Sequence, residues 1–149
     1  MVSAVPDELL EDLNEDQIRW LRIAPVAHLA TAGASGASNV IPVCYAFDGR
    51  HIYSVLDRKP KSVALTRLRR VRNIQENPRV SFVVDHYEEE WSRLWYILVT
   101  GQAELLLEGD EREDAIGKLR EKYQQYRDMD IDINPVIKIT PAKVVSWGI

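Results

Sequence analysis

The sequence predicts an α+β protein, built mainly from antiparallel β-strands with helices at the ends of the sheet. Two observations carry this prediction. Three segments rich in β-branched and aromatic residues lie within about thirty residues and are joined only by short turns, as in an antiparallel meander. Further long segments of the same kind then alternate with stretches whose apolar residues have helical spacing. Six or seven antiparallel strands with a few helices commonly close into a small barrel.

The first half of the chain predicts one helix and three strands. In chain order they are a helix at 7–23 and strands at 26–31, 38–47 and 51–56. The helix has acids early and arginines late, as its dipole favours, and Pro25 ends it. A turn of small residues separates the first two strands, and Asp48-Gly49 is a hairpin signal before the third. Pro42 cannot donate to a ladder, so it predicts an edge strand or a bulge.

The second half predicts two helices and four strands. They are a helix at 62–75, strands at 79–87 and 94–107, a helix at 109–126, and strands at 136–139 and after Pro141. Both helices carry an apolar stripe, and Asn77-Pro78 stops the first of them. The strands are rich in valine, isoleucine and aromatic residues, which favour extended backbone.

The composition predicts one folded domain over residues 1–149. It is 46% hydrophobic and 28% charged, a balance typical of folded soluble proteins. No apolar run approaches the roughly 18 residues that a membrane helix needs. The first sixteen residues carry six acids and no basic residue, unlike a signal peptide. The single cysteine, Cys44, allows no internal disulfide and predicts a reducing, cytoplasmic location.

The charge distribution predicts a specific anionic ligand. The net charge is -4, yet residues 58–79 hold eight of the 19 lysines and arginines and only one acid. In the predicted helix Arg69 and Arg72 share one face, and Arg67 and Arg70 share another. One pair can reach an anion while the other meets solvent or a partner chain. A nucleic-acid-binding helix is an alternative, although the rest of the chain is not basic.

The turn Arg58-Lys59-Pro60-Lys61-Ser62 is the candidate anion site. Ser62 is a candidate N-cap, and helix N-termini offer unpaired N–H groups and a partial positive charge to phosphate. Lys59 and Lys61 add two point charges there. Each charge-assisted hydrogen bond contributes roughly 1.5–3 kcal/mol, so two or three can hold a phosphorylated ligand at micromolar affinity if other contacts offset the cost of ordering it. From the pattern alone, a solvated turn is an equal alternative.

The other chemistry-bearing residues predict no catalytic group supplied by the protein itself. Trp91 and Trp95, with two nearby tyrosines, either stack on a flat ring system or pack in the core or at an interface. Cys44 lies in an apolar strand and predicts a small buried residue more than a nucleophile. The three histidines lie on separate strands without metal-ligand spacing, and the common nucleophile, zinc, phosphate-loop and dinucleotide motifs are absent. An enzyme of this kind would rely on a cofactor.

Three groups of motifs resemble one known family. Residues 26–31, a glycine turn and residues 39–43 look like the opening hairpin of the pyridoxamine 5′-phosphate oxidase-like flavin-binding split barrels. Residues 57–61, followed by 70–74 and 77–81, resemble their phosphate-binding strand–helix–strand. Residues 84–87 and 91–95 resemble a narrower group, the deazaflavin-dependent oxidoreductases, which use coenzyme F420. The resemblance covers nearly the whole chain.

The resemblance implies a six-stranded split β-barrel with flanking helices that works as a homodimer. An F420 or FMN cofactor would lie in a groove at the dimer interface, and hydride would move between it and a small-molecule substrate. The residues assigned in this way are Lys59, Lys61 and Ser62, with Arg58 nearby, for the phosphate; the backbone around Val40, Ile41, Pro42 and Val43 for the isoalloxazine ring; Arg72 and Asn73 as further contacts; and Trp91 and Trp95 closing the pocket from the other chain.

The choice of cofactor stays open between F420 and FMN. The extended negative tail of F420 favours a broad basic surface, which Arg67 to Arg72 can supply, and this tilts the prediction toward F420. A non-catalytic flavin- or tetrapyrrole-binding protein is the alternative function. No metal, nucleic acid or membrane partner is predicted.

Overall fold

The computed structural model describes residues 13–57 and 65–148. In chain order the described helices and strands are α1 Glu15–Ile23, β1 Ala27–Ala32, β2 Ser38–Val43, β3 Ala46–Phe47, β4 Ile52–Val55, α2 Arg69–Glu76, β5 Arg79–His86, β6 Trp95–Leu106, α3 Asp110–Lys122 and β7 Val136–Gly148. Short 3₁₀ turns lie at Leu65–Arg67, Trp91–Arg93 and Gln124–Arg127.

All seven strands form one antiparallel sheet in the order β2-β1-β5-β6-β7-β4-β3. Strands β2 and β3 are therefore at opposite edges, yet only Cys44 and Tyr45 separate them in the sequence. That link spans no more than about 11 Å, because each residue of an extended chain covers about 3.6 Å. The sheet must therefore curl until its two edges come close together. Beyond the two residues of β3, strand β2 faces β4 without hydrogen bonds between them, and this gap is the split of the barrel. The predicted α+β split barrel with flanking helices is confirmed, with the two-residue β3 as a seventh strand.

The prediction of a single strand at 38–47 is wrong, because the segment forms β2 and β3 at the two edges. The first three predicted strands consequently form no meander. Strand β4 pairs with β3 and with β7, far along the chain. The expectation for Pro42 is confirmed, since β2 is an edge strand and pairs only with β1.

Two predicted helices differ from the observed ones. The predicted helix at 62–75 begins only at Arg69, because Leu68 has extended backbone angles, and residues 58–64 lie outside the described part. The predicted helix at 109–126 ends at Lys122, because Tyr123 is extended with φ −118° and ψ 112°. The first helix begins at Glu15 behind a capping box made by Asn14 and Gln17, and residues 1–12 are not described.

The interior is divided between two apolar clusters. The larger fills the barrel, and the smaller lies between α3 and strands β3, β4 and β7. Tyr45 is fully buried and its ring meets Phe82 edge-on at 4.8 Å between centroids. Within the described residues no helix is long and apolar enough to cross a membrane. The cytoplasmic location stays a prediction.

One long strand replaces the two predicted at the C-terminal end of the sheet. Strand β7 runs through Pro141, and its register with β6 shifts between Thr100 and Gly101. A side chain at Gly101 would place its Cβ 2.2 Å from the carbonyl oxygen of Thr140. The two backbones approach this closely only because residue 101 has no Cβ.

We expect Gly101→Ala to lower the free energy of unfolding by more than about 2 kcal/mol, since backbone must move to admit the methyl group. Gly117→Ala is the matched control. Gly117 is exposed in the middle of α3 with no atom near its Cβ position, so alanine should raise stability by about 0.5–1 kcal/mol. Urea denaturation measures both. A Gly101→Ala protein as stable as the wild type would show that the shift in register tolerates a side chain.

Candidate functional site

A cleft of about 540 Å³ lies at the split of the barrel. One wall is strand β2 with the Cys44–Tyr45 link, and the other is the C-terminal end of β4. The 3₁₀ turn and the start of α2 border it. Its lining residues are Val26, Asn39, Ile41, Pro42, Val43, Cys44, Ser54, Val55, Asp57, Leu68, Arg69 and Arg70.

The chemistry of the cleft follows from which elements meet there. Strand alternation turns Asn39, Ile41 and Val43 to the same side of β2, so this wall is mostly apolar. The start of α2 contributes two guanidinium groups, and the end of β4 contributes the Asp57 carboxylate. A flat apolar ring fits the first wall and an anion fits the guanidinium groups, while the carboxylate offers an acceptor for O–H or N–H donors.

The structure brings together part of the predicted ring-binding segment. Ile41, Pro42 and Val43 line the cleft. Val40 does not; its side chain is 61% exposed on the outer face of the sheet. This fits a role for its backbone alone.

The predicted phosphate-binding residues Arg58, Lys59, Lys61 and Ser62 lie outside the described residues. Asp57, the residue directly before them, lines the cleft. The segment therefore starts at the cleft wall, and its contact with a phosphate stays a prediction.

Arg72 and Asn73 are not among the residues that line this cleft. Arg72 is exposed. Asn73 is only 2% exposed, and its amide donates to the Thr31 hydroxyl at 3.0 Å, which ties α2 to β1. It borders an adjoining cleft of about 470 Å³ that shares Asn39 and Arg69 with the first. Their contact with a cofactor stays a prediction.

Two arginines that the family assignment left out line the cleft. Arg69 and Arg70 are neighbours in the chain, and both reach the cleft because α2 begins at Arg69. Helical spacing had paired Arg69 with Arg72. The sequence carries no signal for the place of Arg69 and Arg70 at the start of α2, because the apolar stripe predicts a helix that begins at residue 62.

The predicted tryptophans lie away from the cleft of their own chain. Trp91 is 71% exposed on the 3₁₀ turn before β6. Trp95 is half-buried and stacks on Trp20, with ring centroids 4.6 Å apart. This stack packs α1 against β6. Their approach to the cleft of another chain stays a prediction.

The end of α3 contacts both walls of the cleft from behind. Tyr126 is buried, and its hydroxyl donates to Asp57 Oδ2 at 2.7 Å. The Tyr123 hydroxyl accepts from the Tyr45 N–H at 3.0 Å. Burial raises the pKa of Tyr126, and the hydrogen bond to Asp57 raises it further, so this hydroxyl stays a donor. Sequence reasoning missed these residues.

Lys122 lies beside the Cys44–Tyr45 link, and its charge responds to mildly alkaline pH. Its Nζ donates to the Tyr45 carbonyl at 2.9 Å and lies 3.7 Å from the centre of the Tyr45 ring. Burial lowers the pKa of Lys122 to about 8, and the nearby Cys44 opposes this shift. Elsewhere in the described chain, no three histidine, cysteine or acidic side chains come together as a metal site requires.

Comparison with known proteins identifies the family. The model described as pyridoxamine 5′-phosphate oxidase matches residues 14–145. The chain belongs to this family. A curated relative is 30% identical over 140 residues, which is 91% of this chain and 83% of the relative. That relative is the 5a,11a-dehydrotetracycline/5a,11a-dehydrooxytetracycline reductase of Streptomyces rimosus subsp. rimosus.

Solved structures share the fold. A conserved hypothetical protein from Mycobacterium tuberculosis aligns with a TM-score of 0.73 at 20% identity, covering 91% of this chain and 85% of that one. An F420 reductase aligns with a TM-score of 0.66 at 22% identity, covering 89% of this chain and 98% of that one. At these identities the likeness concerns the fold.

We expect the contribution of Lys122 to stability to rise with pH. The lysine in the unfolded chain keeps its ordinary pKa of 10.5, so between about pH 8 and that value the unfolded state binds more protons than the folded state. Stability therefore increases with pH in this window. Urea denaturation gives the free energy of unfolding of the wild type and of Lys122→Met at about pH 7 and pH 9.5. From the lower to the higher pH, this free energy should increase for the wild type relative to the variant. An unchanged difference would mean that the folded lysine keeps its ordinary pKa.

Proposed function

We propose that the protein is an oxidoreductase that transfers a hydride between coenzyme F420, or alternatively FMN, and a small organic substrate. The observation that carries this proposal is the cleft at the barrel split, which is lined by an apolar β2 wall and by Arg69. The match to a reductase at 30% identity supports reduction as the reaction class.

Two features favour F420 over FMN. The cleft and the adjoining one share Asn39 and Arg69, so the two adjoin beside a cation, although Glu76 also lines the second. A solved F420 reductase also has this fold. F420 is a deazaflavin that, unlike FMN, carries a long anionic tail, and this tail needs such a continuation.

The bound cofactor supplies the hydride chemistry, and the residues of this chain supply its position. The apolar side chains of β2 exclude water from one face of a ring. Arg69 neutralises an anionic group at the edge of the cleft, and Asp57 accepts a hydrogen bond from a hydroxyl or an amide of the ligand. Fixing the ring in this way accounts for rate acceleration without a protein nucleophile.

The alternative functions receive less support. The cleft is lined, in the described part of the chain, by no histidine that would ligate a tetrapyrrole iron. The basic residues of α2 do not form one outward surface for nucleic acid, because Arg69 and Arg70 both line the cleft.

We expect F420 to bind with a dissociation constant below about 100 µM, and FMN more weakly. Cys44 is the single cysteine and lines the cleft, so a bound ligand should slow its reaction with iodoacetamide about tenfold at ten times the dissociation constant. Fluorescence titration and mass spectrometry of alkylated Cys44 measure these two effects. Failure of both cofactors to bind or to protect Cys44 would refute the proposal.

Two arginine variants provide the control for this titration. Arg69→Ala should weaken cofactor binding about tenfold, because Arg69 lines the cleft and a hydrogen bond to a charged group is lost. Arg50→Ala removes the same charge from an exposed turn away from the cleft lining. Its affinity should stay within about twofold of the wild type, as expected for a solvent-screened charge.

The protein is further proposed to act as a homodimer through the outer face of the sheet. Tyr96 and Trp147 are cross-strand partners with stacked rings, 5.9 Å between centroids, and both are exposed. Val145 is also exposed, beside the half-buried Leu98 on the neighbouring strand. A contiguous apolar patch of this kind is typical of a protein interface. The assignment of Trp91 and Trp95 to the partner's cleft rests on this dimer.

Light scattering should give twice the mass of the chain at about 10 µM. Trp147→Glu should reduce this to the monomer mass, because a carboxylate would be desolvated in the interface. A wild-type protein that is monomeric at this concentration would contradict the proposed dimer.

A further inference from the structure

A short segment behind the cleft joins its two walls. This α3 elbow, residues 122–127, comprises the last residue of α3, the extended Tyr123 and the following 3₁₀ turn. The extended backbone at Tyr123 breaks the helix, and the chain then turns so that Tyr123 and Tyr126 contact different walls. Both tyrosines also adjoin the thiol of Cys44 in the cleft lining.

The first attachment is to the wall made by β2 and its link. The Tyr123 hydroxyl accepts from the Tyr45 N–H at 3.0 Å and donates to the Pro25 carbonyl at 2.9 Å. The Lys122 Nζ donates to the Tyr45 carbonyl at 2.9 Å. Tyr45 is held at both its N–H and its C=O, and it directly follows Cys44.

The second attachment is to the wall made by the end of β4. Tyr126 is 4% exposed, and its hydroxyl donates to Asp57 at 2.7 Å. The Asn134 amide donates to the Leu56 carbonyl at 2.6 Å, which holds the same strand end from the next loop. The rings of Tyr123 and Tyr126 meet edge-on at 5.5 Å between centroids, so the two attachments pack against each other.

The elbow itself is anchored by one side chain of α3. The Arg120 guanidinium donates to the Tyr126 carbonyl at 3.0 Å and to the Met129 carbonyl at 3.1 Å. The two cleft walls, in contrast, share no ladder, because β2 and β4 are not neighbours in the sheet. The Cys44–Tyr45 link and the β3–β4 pairing join the walls at one place. Contacts from behind are the other connection between them.

We propose that the α3 elbow sets the spacing of the cleft walls and that Tyr126 is a positioning residue for the cleft ligand, acting through Asp57. As far as the identity of the ligand is concerned, this inference rests on the proposed function. Without the Tyr126 hydroxyl, the Asp57 carboxylate turns away from its place in the lining and the β4 wall loosens.

The test compares Tyr126→Phe with Tyr53→Phe. Tyr53 is also 4% exposed, and its hydroxyl donates to a carboxylate, Glu111 Oε2, at 2.8 Å, but it does not line the cleft. Both variants lose one buried tyrosine–carboxylate hydrogen bond, so their melting temperatures should fall by similar amounts. A role in folding alone would therefore not distinguish them.

Two readouts should separate the variants. In the ligand-free protein, Tyr126→Phe should raise the alkylation rate of Cys44 about threefold, because access controls thiol reactivity, while Tyr53→Phe leaves it unchanged. With cofactor present, Tyr126→Phe should weaken binding about tenfold and Tyr53→Phe less than twofold. Equal effects of the two variants on both readouts would overturn the proposal.

A double variant tests whether Tyr126 acts through Asp57. Asp57→Asn should also raise the alkylation rate of Cys44. The alkylation rate of the double variant Asp57→Asn with Tyr126→Phe should not exceed that of the faster single variant, as expected for coupled residues. Additive effects would mean that Tyr126 acts by another route. The alkylation rates are measured without ligand, so they decide the role of the elbow even if neither F420 nor FMN binds, a result that would refute only the proposed function.

Discussion

Two residues, Cys44 and Tyr45, join strands at opposite edges of a seven-stranded sheet, and most of the architecture depends on this short link. An extended chain of that length cannot cross a flat sheet, so the sheet curls until its edges approach. Closure stops short of a continuous ladder, and the gap becomes the cleft. The link itself supplies one wall, which is why the single thiol of the protein lies in the lining and why the backbone of Tyr45 is held on both sides.

Local sequence signals predicted much of the sheet but not its closure. The small-residue turn predicted the β1–β2 hairpin, and the missing N–H of Pro42 predicted an edge. The break inside residues 38–47 gave no such signal, because extended propensity continues through it. Which strands become neighbours depends on contacts between distant residues, such as Ser54 with Ile137, and no local pattern encodes these.

The sequence predicted some of the residues that line the cleft, but not the helix boundaries that place the others there. Family resemblance assigned the backbone around Ile41, Pro42 and Val43 to the cofactor ring, and these residues line the cleft, while their contact with a cofactor stays a prediction. Helical periodicity could not show which arginines reach the cleft, because it starts the helix at residue 62 whereas α2 begins at Arg69. The same periodicity continued α3 through Tyr126, since an apolar residue at helical spacing packs inward in either backbone conformation. The break at Tyr123, where local propensity yields to tertiary contacts, is also where the chain reaches both cleft walls.

The position of β7 between β6 and β4 has a consequence for the order of folding. Until residues 136–139 leave the ribosome, β4 has only the two-residue β3 as a partner, while β1, β2, β5 and β6 can already pair. Pairings of such long sequence separation form late, after the local hairpins. The nascent chain would hold a half-built sheet in which β4 lacks its β7 partner, and the cleft would take shape only after β7 has been synthesised.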